Sequence, residues 1–165
     1  MTEKLKIGVV ISSTREVRIG ERVTTFVKNA ILKDHEVVVF ALDAIVLVCA
    51  EYNWCLPPAL TNLMDNIPPH TVAWKPCGFV TYAIGPMGGS RAAVQLRIFT
   101  GGMGMIAVPT GTAIPQAHET LDESGNTEDN KLKEELDVTL KQVYWAARAL
   151  KSYSGNNPAP NWAPS

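Results

Sequence analysis

Hydroxyl, small and arginine residues are concentrated between the first apolar run of the chain and the helical pattern that follows it. This segment reads Ser12-Ser13-Thr14-Arg15-Glu16-Val17-Arg18-Ile19-Gly20. Backbone N–H groups at a helix N-terminus, with arginine side chains beside them, bind phosphate monoesters. The segment has no G-x-G-x-x-G pattern and no Gly-Lys-Ser/Thr triplet, so one terminal phosphate fits it better than a pyrophosphate. A plain polar loop with solvated arginines is the alternative interpretation.

Acidic, aromatic and amide residues follow another apolar run, in the order Glu51-Tyr52-Asn53-Trp54. The aromatic pair and the backbone N–H groups around Asn53 would form a flat wall for a planar heterocycle. Ordinary packing of Tyr52 and Trp54 at the end of a strand is the alternative.

A glycine-rich segment follows a further apolar run and reads Tyr82-Ala83-Ile84-Gly85-Pro86-Met87-Gly88-Gly89-Ser90-Arg91. Glycines at 85, 88 and 89 permit a close approach of the backbone to a ligand. A tight connection between a strand and a helix is the alternative interpretation.

Short apolar runs alternate with helical patterns along the chain, as is typical of an α/β fold. The apolar runs predict strands at residues 6–12, 36–42, 45–49, 78–82 and 105–108. Amphipathic patterns predict helices at residues 21–33, 58–67, 90–100 and 130–150. This alternation predicts a doubly wound, five-stranded parallel sheet, in which ligands bind beyond the carboxyl ends of the strands. All three segments described above follow such ends.

Length and composition favour a single globular domain. The chain has 165 residues, of which 46% are hydrophobic and 19% are charged. We expect the domain to cover residues 1–153. Residues 154–165, which are rich in proline and asparagine, should form a flexible tail.

Charge and residue usage argue against several classes of function. Fifteen basic and sixteen acidic residues give a formal net charge of -1, and no basic stripe is present to bind nucleic acid. The N-terminal apolar run is too short for a signal peptide or a membrane span, so we expect a cytoplasmic protein. The 3 cysteines lack the paired spacing of a disulfide framework or a metal site. His35, His70 and His118 lie far apart in sequence, and we predict no catalytic side chain.

Taken together, the three segments resemble the NADPH-dependent FMN reductase family, a branch of the flavodoxin-like fold that includes NAD(P)H:quinone reductases and azoreductases. The resemblance rests on Ser13, Thr14, Arg15, Arg18 and Gly20; on Glu51, Tyr52, Asn53, Trp54, Leu60, Asn62 and Asp65; and on Gly88, Gly89, Ser90, Arg91, Gln95 and Leu96. It implies that FMN binds without a covalent link. The phosphate would be held by Ser13, Arg15, Arg18, Ile19 and Gly20. The isoalloxazine ring would be bordered by Glu51, Tyr52, Asn53, Trp54, Tyr82, Gly85, Gly88 and Gly89.

The same resemblance implies an activity. Reduced nicotinamide, either NADPH or NADH, would reduce FMN and leave, and a quinone, an azo compound or free flavin would then take both electrons in a ping-pong order. Such enzymes are usually dimers or tetramers, so a homodimer or tetramer is implied. An FMN-binding redox sensor or electron carrier is the alternative, although short-chain flavodoxins are strongly acidic and this chain is nearly neutral. A protein that has lost flavin and serves only as an interaction module is a third possibility.

Two local features depart from the family's pattern. Ala50 stands where the family usually has proline, and the segment 82–87 is longer and poorer in glycine than is common.

The spacing of the second and third predicted strands is a larger departure. Only Asp43 and Ala44 separate them, whereas a parallel connection takes roughly a dozen residues. A deletion, a hairpin at Asp43 and Ala44, and a crossover segment missing from the sequence are the three explanations. The hairpin lacks Asn-Gly or Asp-Gly turn chemistry, so a missing segment ranks first and a deletion second.

Overall fold

The structure is a computed structural model that describes residues 3–13, 19–37 and 42–161. Its strands are β1 (Lys6–Ile11), β2 (Glu36–Val37), β3 (Ala44–Ala50), β4 (Pro76–Tyr82), β5 (Ile106–Ala107) and β6 (Thr112–Ile114). Its helices are α1 (Gly20–Leu32), α2 (Pro58–Asp65), α3 (Pro69–Val72), α4 (Ser90–Gly102), α5 (Ala117–Thr120) and α6 (Asn130–Ser154). Within the described ranges, no helix is both long enough and apolar enough to cross a membrane.

All pairs in the sheet are parallel, and the strand order is β2-β1-β3-β4-β5. β5 pairs with the first residues of β4, and β6 pairs with the last ones, so the two short strands share the fifth position. This 2-1-3-4-5 order is that of the flavodoxin-like fold, and the predicted fold class is confirmed. The predicted strand at residues 105–108 accounts for only the first part of the fifth position.

Helices cover both faces of the central strands. Every residue of β3 and β4 is buried. Alternate residues of β3, such as Val46 and Val48, pack in a cluster with α1 and α6. The residues between them, such as Ile45 and Leu47, pack in a second cluster with α2 and α4. This two-sided burial explains why β3 and β4 are continuous apolar runs in the sequence.

The helix boundaries follow local start signals. Pro58 occupies the first turn of α2, where its missing N–H costs nothing. Asp129 precedes α6, and its Oδ1 accepts a hydrogen bond from the Leu132 N–H at 3.0 Å. The four longer helices lie where the sequence predicts them, whereas the short helices α3 and α5 were not predicted.

The expected strand at residues 36–42 is described only at its two ends. Glu36–Val37 form β2, residues 38–41 lie outside the described residues, and Leu42 is not part of a strand. Ile7 of β1 is paired with Val37 on one side and with Ala44 on the other. Val37 and Ala44 therefore lie level with each other on the two sides of β1, about two strand spacings or roughly 10 Å apart.

The hairpin explanation is excluded, since β2 and β3 both run parallel to β1. The missing segment and the deletion stay predictions.

β1 is less completely buried than the central strands. Val9, Val10 and Ile11 are only half-buried, in contrast to the fully buried β3 and β4. Leu42 covers part of this strand, because a Cβ added to Gly8 would lie 2.8 Å from the Cδ1 atom of Leu42. Leu42 thus packs directly on β1 at Gly8.

Candidate functional site

The loops after β1 and β3 are joined by two serines. The Ser12 hydroxyl accepts a hydrogen bond from the Ala50 N–H at 2.8 Å. The Ser13 hydroxyl lies 2.7 Å from the Tyr52 hydroxyl, within hydrogen-bonding distance. Both serines are buried. Arg15 and Arg18 lie in the segment 14–18, outside the described residues.

The start of α1 lies against the end of β4. Ile19 is the N-cap residue of α1 and Gly20 is its first residue. A Cβ added to Gly20 would lie 2.5 Å from the Tyr82 hydroxyl oxygen, so only glycine permits this approach. The structure thus brings together two pairs of predicted site residues, Ser13 with Tyr52 and Gly20 with Tyr82.

Residues 52–55 form a tight turn beyond β3. The Tyr52 N–H donates to the Cys55 carbonyl at 3.0 Å, and the Cys55 N–H donates to the Tyr52 carbonyl at 2.9 Å. Asn53 and Trp54 both have a positive φ, 50° and 66°, as the central residues of a type I′ turn do. Asparagine tolerates this conformation, whereas tryptophan in it is strained by about 1–3 kcal/mol. The surrounding structure must therefore hold the turn.

Two side chains of helix α4 contact the 52–55 turn and hold it in this conformation. The Gln95 side-chain amide donates to the Trp54 carbonyl at 2.8 Å and accepts from the Leu56 N–H at 3.3 Å. The Arg91 guanidinium carbon lies 4.7 Å from the centroid of the Trp54 ring, a cation–π distance. Arg91 and Gln95 are not among the site residues expected from the sequence. Their i, i+4 spacing, which places both on one face of a helix, is the signal that could have found them.

The Glu51 carboxylate is fully engaged by the first turn of α4. Its Oε1 accepts from the Arg91 guanidinium, with the Nε–H at 2.8 Å and an Nη2–H closer still. Its Oε2 accepts from the N–H groups of Arg91 and Ala92 at 3.1 and 3.3 Å. The side chain of Glu51 is 4% exposed. Burial acts to raise the pKa of Glu51, but the bonds from Arg91 and Ala92 outweigh it, so the pKa lies below its ordinary value.

Glu51 thus places a negative charge at the N-terminus of α4, where the helix dipole favours it. From its place in the sequence, Glu51 was expected at the border of a ring. In the structure its carboxylate accepts hydrogen bonds from the first N–H groups of α4. The exposed side chain nearby is Trp54, in the adjacent 52–55 turn.

The glycines of the segment 83–89 lie in different structural environments. Gly88 and Gly89 have positive φ values of 58° and 82°. A Cβ added to Gly89 would lie 2.9 Å from both the Thr81 Cβ and the Tyr82 nitrogen, so this glycine permits close packing on β4. Gly85 differs, because a Cβ added there would meet no atom within 4 Å. The open side of this loop is therefore at Gly85.

Large apolar side chains stand exposed on the same edge of the sheet. Trp54 is 69% exposed, Ile84 is 70% exposed and Met87 is 54% exposed. Trp54 belongs to the turn after β3, and the other two belong to the loop after β4. Since these strands are neighbours in the sheet, the three side chains border one region beyond its carboxyl edge.

Part of the chain matches a known protein family. Residues 38–119 match the family described as NADPH-dependent FMN reductase. Over these residues the chain belongs to the NADPH-dependent FMN reductase family. The resemblance stated from the sequence is thereby confirmed. The matched span contains the 52–55 turn, the loop 83–89 and α4, while the segment 12–20 lies before it.

One curated relative is the NAD(P)H-dependent FMN reductase LOT6 of Saccharomyces cerevisiae. It is 38% identical over 82 residues, which cover 46% of this chain and 41% of the yeast protein. This chain therefore aligns with less than half the length of that relative.

Solved structures of reductases share the fold of this family member at low sequence identity. FerB, a flavoenzyme NAD(P)H:(acceptor) oxidoreductase from Paracoccus denitrificans, superposes with a TM-score of 0.71 at 15% identity, over 87% of this chain and 98% of FerB. An oxidoreductase from Corynebacterium diphtheriae superposes with a TM-score of 0.67 at 12% identity, over 90% of this chain and 99% of that one. At these identities the likeness shows the fold.

Proposed function

We propose that this protein binds FMN without a covalent link and passes two electrons from NADPH or NADH to a small acceptor. The observation that carries the proposal is the strained Asn53-Trp54 turn, held by α4 at the carboxyl edge of the sheet. Strained backbone persists where the surrounding structure enforces it, and such positions cluster at ligand sites. Membership of the NADPH-dependent FMN reductase family supports the same activity.

The residues of this edge fit FMN by their chemistry. Ser13 offers a hydroxyl, and Ile19 and Gly20 begin α1, whose N-terminal N–H groups and dipole suit a phosphate. Arg15 and Arg18 would supply charge-assisted bonds to that phosphate.

A planar ring would lie between the 52–55 turn and the loop 83–89. Tyr52, Asn53 and Trp54 would border it on one side, and Tyr82, Gly85, Gly88 and Gly89 on the other. Gly85 offers the open approach that a flat group needs. We propose that Glu51 contributes indirectly, by holding α4 against the turn.

Bound FMN would supply the redox chemistry, which is hydride transfer from the nicotinamide followed by transfer of two electrons to the acceptor in ping-pong order. The role of the chain is to position the reactants and to place dipoles. Backbone N–H groups of the 52–55 turn and of Gly88 and Gly89 would stabilise negative charge on the reduced ring. No side chain of the described site needs to act as a nucleophile or a general base.

The exposed apolar residues indicate the class of acceptor. Trp54, Ile84 and Met87 would form an apolar wall beside the ring, and aromatic side chains favour flat, offset-stacked partners. We therefore propose a planar acceptor: a quinone, an azo compound or free flavin.

We also propose that the protein is a homodimer or tetramer and works in the cytoplasm. Val94 and Ile98 of α4 are exposed apolar residues on the outer side of that helix, and a subunit contact would bury them. Light scattering of the purified chain would give the mass of the assembly.

Reconstitution with FMN tests the function. We expect one FMN per chain and NADPH oxidation that depends on a quinone, with parallel lines in double-reciprocal plots. A folded chain that binds no flavin would overturn the proposal. Tight FMN binding without nicotinamide oxidation would instead support the electron-carrier alternative.

A further inference from the structure

We propose that Arg91 is a positioning residue that holds the Asn53-Trp54 turn in its left-handed conformation and thereby prepares the site for the flavin ring. The inference rests on the proposed function for its flavin part. Its structural part concerns the chain alone.

Three side chains connect α4 to the segment 51–56, which lies about forty residues earlier in the chain. Glu51 anchors the start of the segment by accepting from the Arg91 side chain and from the first N–H groups of α4. Gln95 fixes the end of the turn at the Trp54 carbonyl and the Leu56 N–H. We call the set Glu51, Arg91 and Gln95 the α4 brace.

Arg91 is the member that contacts both the anchor and the turn. Its guanidinium bonds the Glu51 carboxylate, and its planar face lies over the Trp54 ring at 4.7 Å. Guanidinium can do both because its donors lie in a plane whose face remains free for stacking. A lysine ammonium would keep the charge but would lose the planar fork.

The turn needs such a brace because its local preference opposes its conformation. Two consecutive non-glycine residues hold a positive φ, and one of them is a tryptophan. Without external contacts, this backbone would relax toward negative φ values. An unbraced turn would spend only part of its time in the conformation that binds the ring, and the apparent affinity would fall by that fraction.

Charge alone does not account for the role of Arg91. Glu51 lies within hydrogen-bonding distance, so the pair adds little net charge to the site. The effect we infer is therefore geometric.

Hydrogen exchange of the flavin-free protein tests the structural part. In Arg91→Met and in Gln95→Met, we expect the amides of residues 52–56 to exchange about tenfold faster, because local opening becomes easier. Arg97→Met is the matched control. Arg97 lies on the same helix, bonds the Val108 and Pro109 carbonyls at 2.9 and 2.7 Å, and lies over the Phe79 ring at 5.5 Å.

Flavin titration tests the functional part. Arg91→Met should weaken FMN and riboflavin alike, by about tenfold, because the turn serves the ring and not the phosphate. Arg91→Lys should behave like Arg91→Met, since it lacks the fork. Arg97→Met should bind both flavins as the parent does.

Three results would overturn the inference. Unchanged exchange of residues 52–56 in both Arg91→Met and Gln95→Met would show that the brace does not hold the turn. Faster exchange throughout the chain would show a general effect on stability. Full recovery of flavin affinity in Arg91→Lys would assign the effect to charge. If the parent binds no flavin, the flavin part fails with the proposed function, while the exchange result still decides the structural part.

Discussion

The Ser13 hydroxyl lies 2.7 Å from the Tyr52 hydroxyl, so the loop after β1 contacts the loop after β3 directly. The two strands are neighbours, with Ile11 paired to Val48 near their carboxyl ends. A phosphate group beyond β1 and a ring beyond β3 would therefore belong to one continuous site. The following predictions test its parts separately.

Arg15 should contribute to the phosphate end of the site. A charge-assisted hydrogen bond from its guanidinium contributes about 1.5–3 kcal/mol, so Arg15→Ala should weaken FMN binding about ten- to a hundredfold. Riboflavin, which lacks the phosphate, should bind the variant and the parent equally. Flavin fluorescence titrations measure both, and Arg97→Ala on α4 serves as the control variant. Equal FMN affinities for the parent and Arg15→Ala would mean that the phosphate binds elsewhere.

Alanine substitutions at Gly89 and Gly85 should have different effects, the first on the free energy of unfolding and the second on flavin binding. Gly89→Ala places a Cβ 2.9 Å from the Tyr82 nitrogen at a φ of 82°, and we expect it to lower the free energy of unfolding. The expected loss is about 1–3 kcal/mol. Gly85→Ala meets no neighbouring atom, so its stability should stay within about 0.5 kcal/mol of the parent.

The flavin affinity of Gly85→Ala should fall, because the added methyl group occupies the open side of the loop. Urea unfolding and FMN titration of both variants give the two quantities. A stable Gly85→Ala variant with parental FMN affinity would remove Gly85 from the ring site.

Stability should depend on the ionisation of Glu51. Burial acts to raise the pKa of Glu51 in the folded chain, but the bonds from Arg91 and Ala92 hold it below its ordinary value. The ionised carboxylate therefore contributes stability above about pH 4.5, and this contribution disappears as the pH falls through the folded pKa. Glu51→Gln should be less stable than the parent at pH 7 by about 1–3 kcal/mol.

The difference between the parent and Glu51→Gln should shrink as the pH falls below about 4.5. Urea unfolding at a series of pH values measures it. A difference that stays constant down to about pH 3 would show that Glu51 is not the titrating group.

Trp74 should hold the C-terminal segment. Its indole N–H donates to the Pro160 carbonyl at 2.9 Å. Trp74→Phe removes this donor, so limited proteolysis should cut residues 155–161 faster than in the parent. FMN affinity should not change, because Trp74 precedes the amino end of β4 and the candidate site lies at the carboxyl end. Trp145→Phe, at an exposed position of α6, is the control, and equal cleavage of all three proteins would contradict the prediction.

Much of the fold could be predicted because the hydrophobic pattern of a segment agrees with how deeply that segment is buried in the fold. β3 and β4 are continuous apolar runs, and they lie in the centre of the sheet with both faces covered. The run at residues 36–42 has the same pattern, yet Leu42 at its end is not part of a strand. Strand propensity cannot show where pairing stops, because that is decided by the register against β1.

The loops that form the candidate site could be predicted from the sequence, but the contacts between them and α4 could not. Ser13, Tyr52, Gly20 and Tyr82 come together because parallel strands present their carboxyl ends at one edge. The α4 brace was not predicted, because Arg91 and Glu51 are about forty residues apart in sequence. Their contact depends on how α4 packs beside β3, which no local pattern encodes.

The half-buried β1 carries the segment proposed to hold the phosphate. A strand whose last three residues are only half-buried adds less to the stability of the flavin-free chain, so bound FMN would supply a larger share of the total stability. Chains that are more often unfolded are removed by cellular proteases. A cell short of flavin would then lose this protein sooner than one whose first strand is covered on both faces, and the amount of the protein would follow the supply of the vitamin.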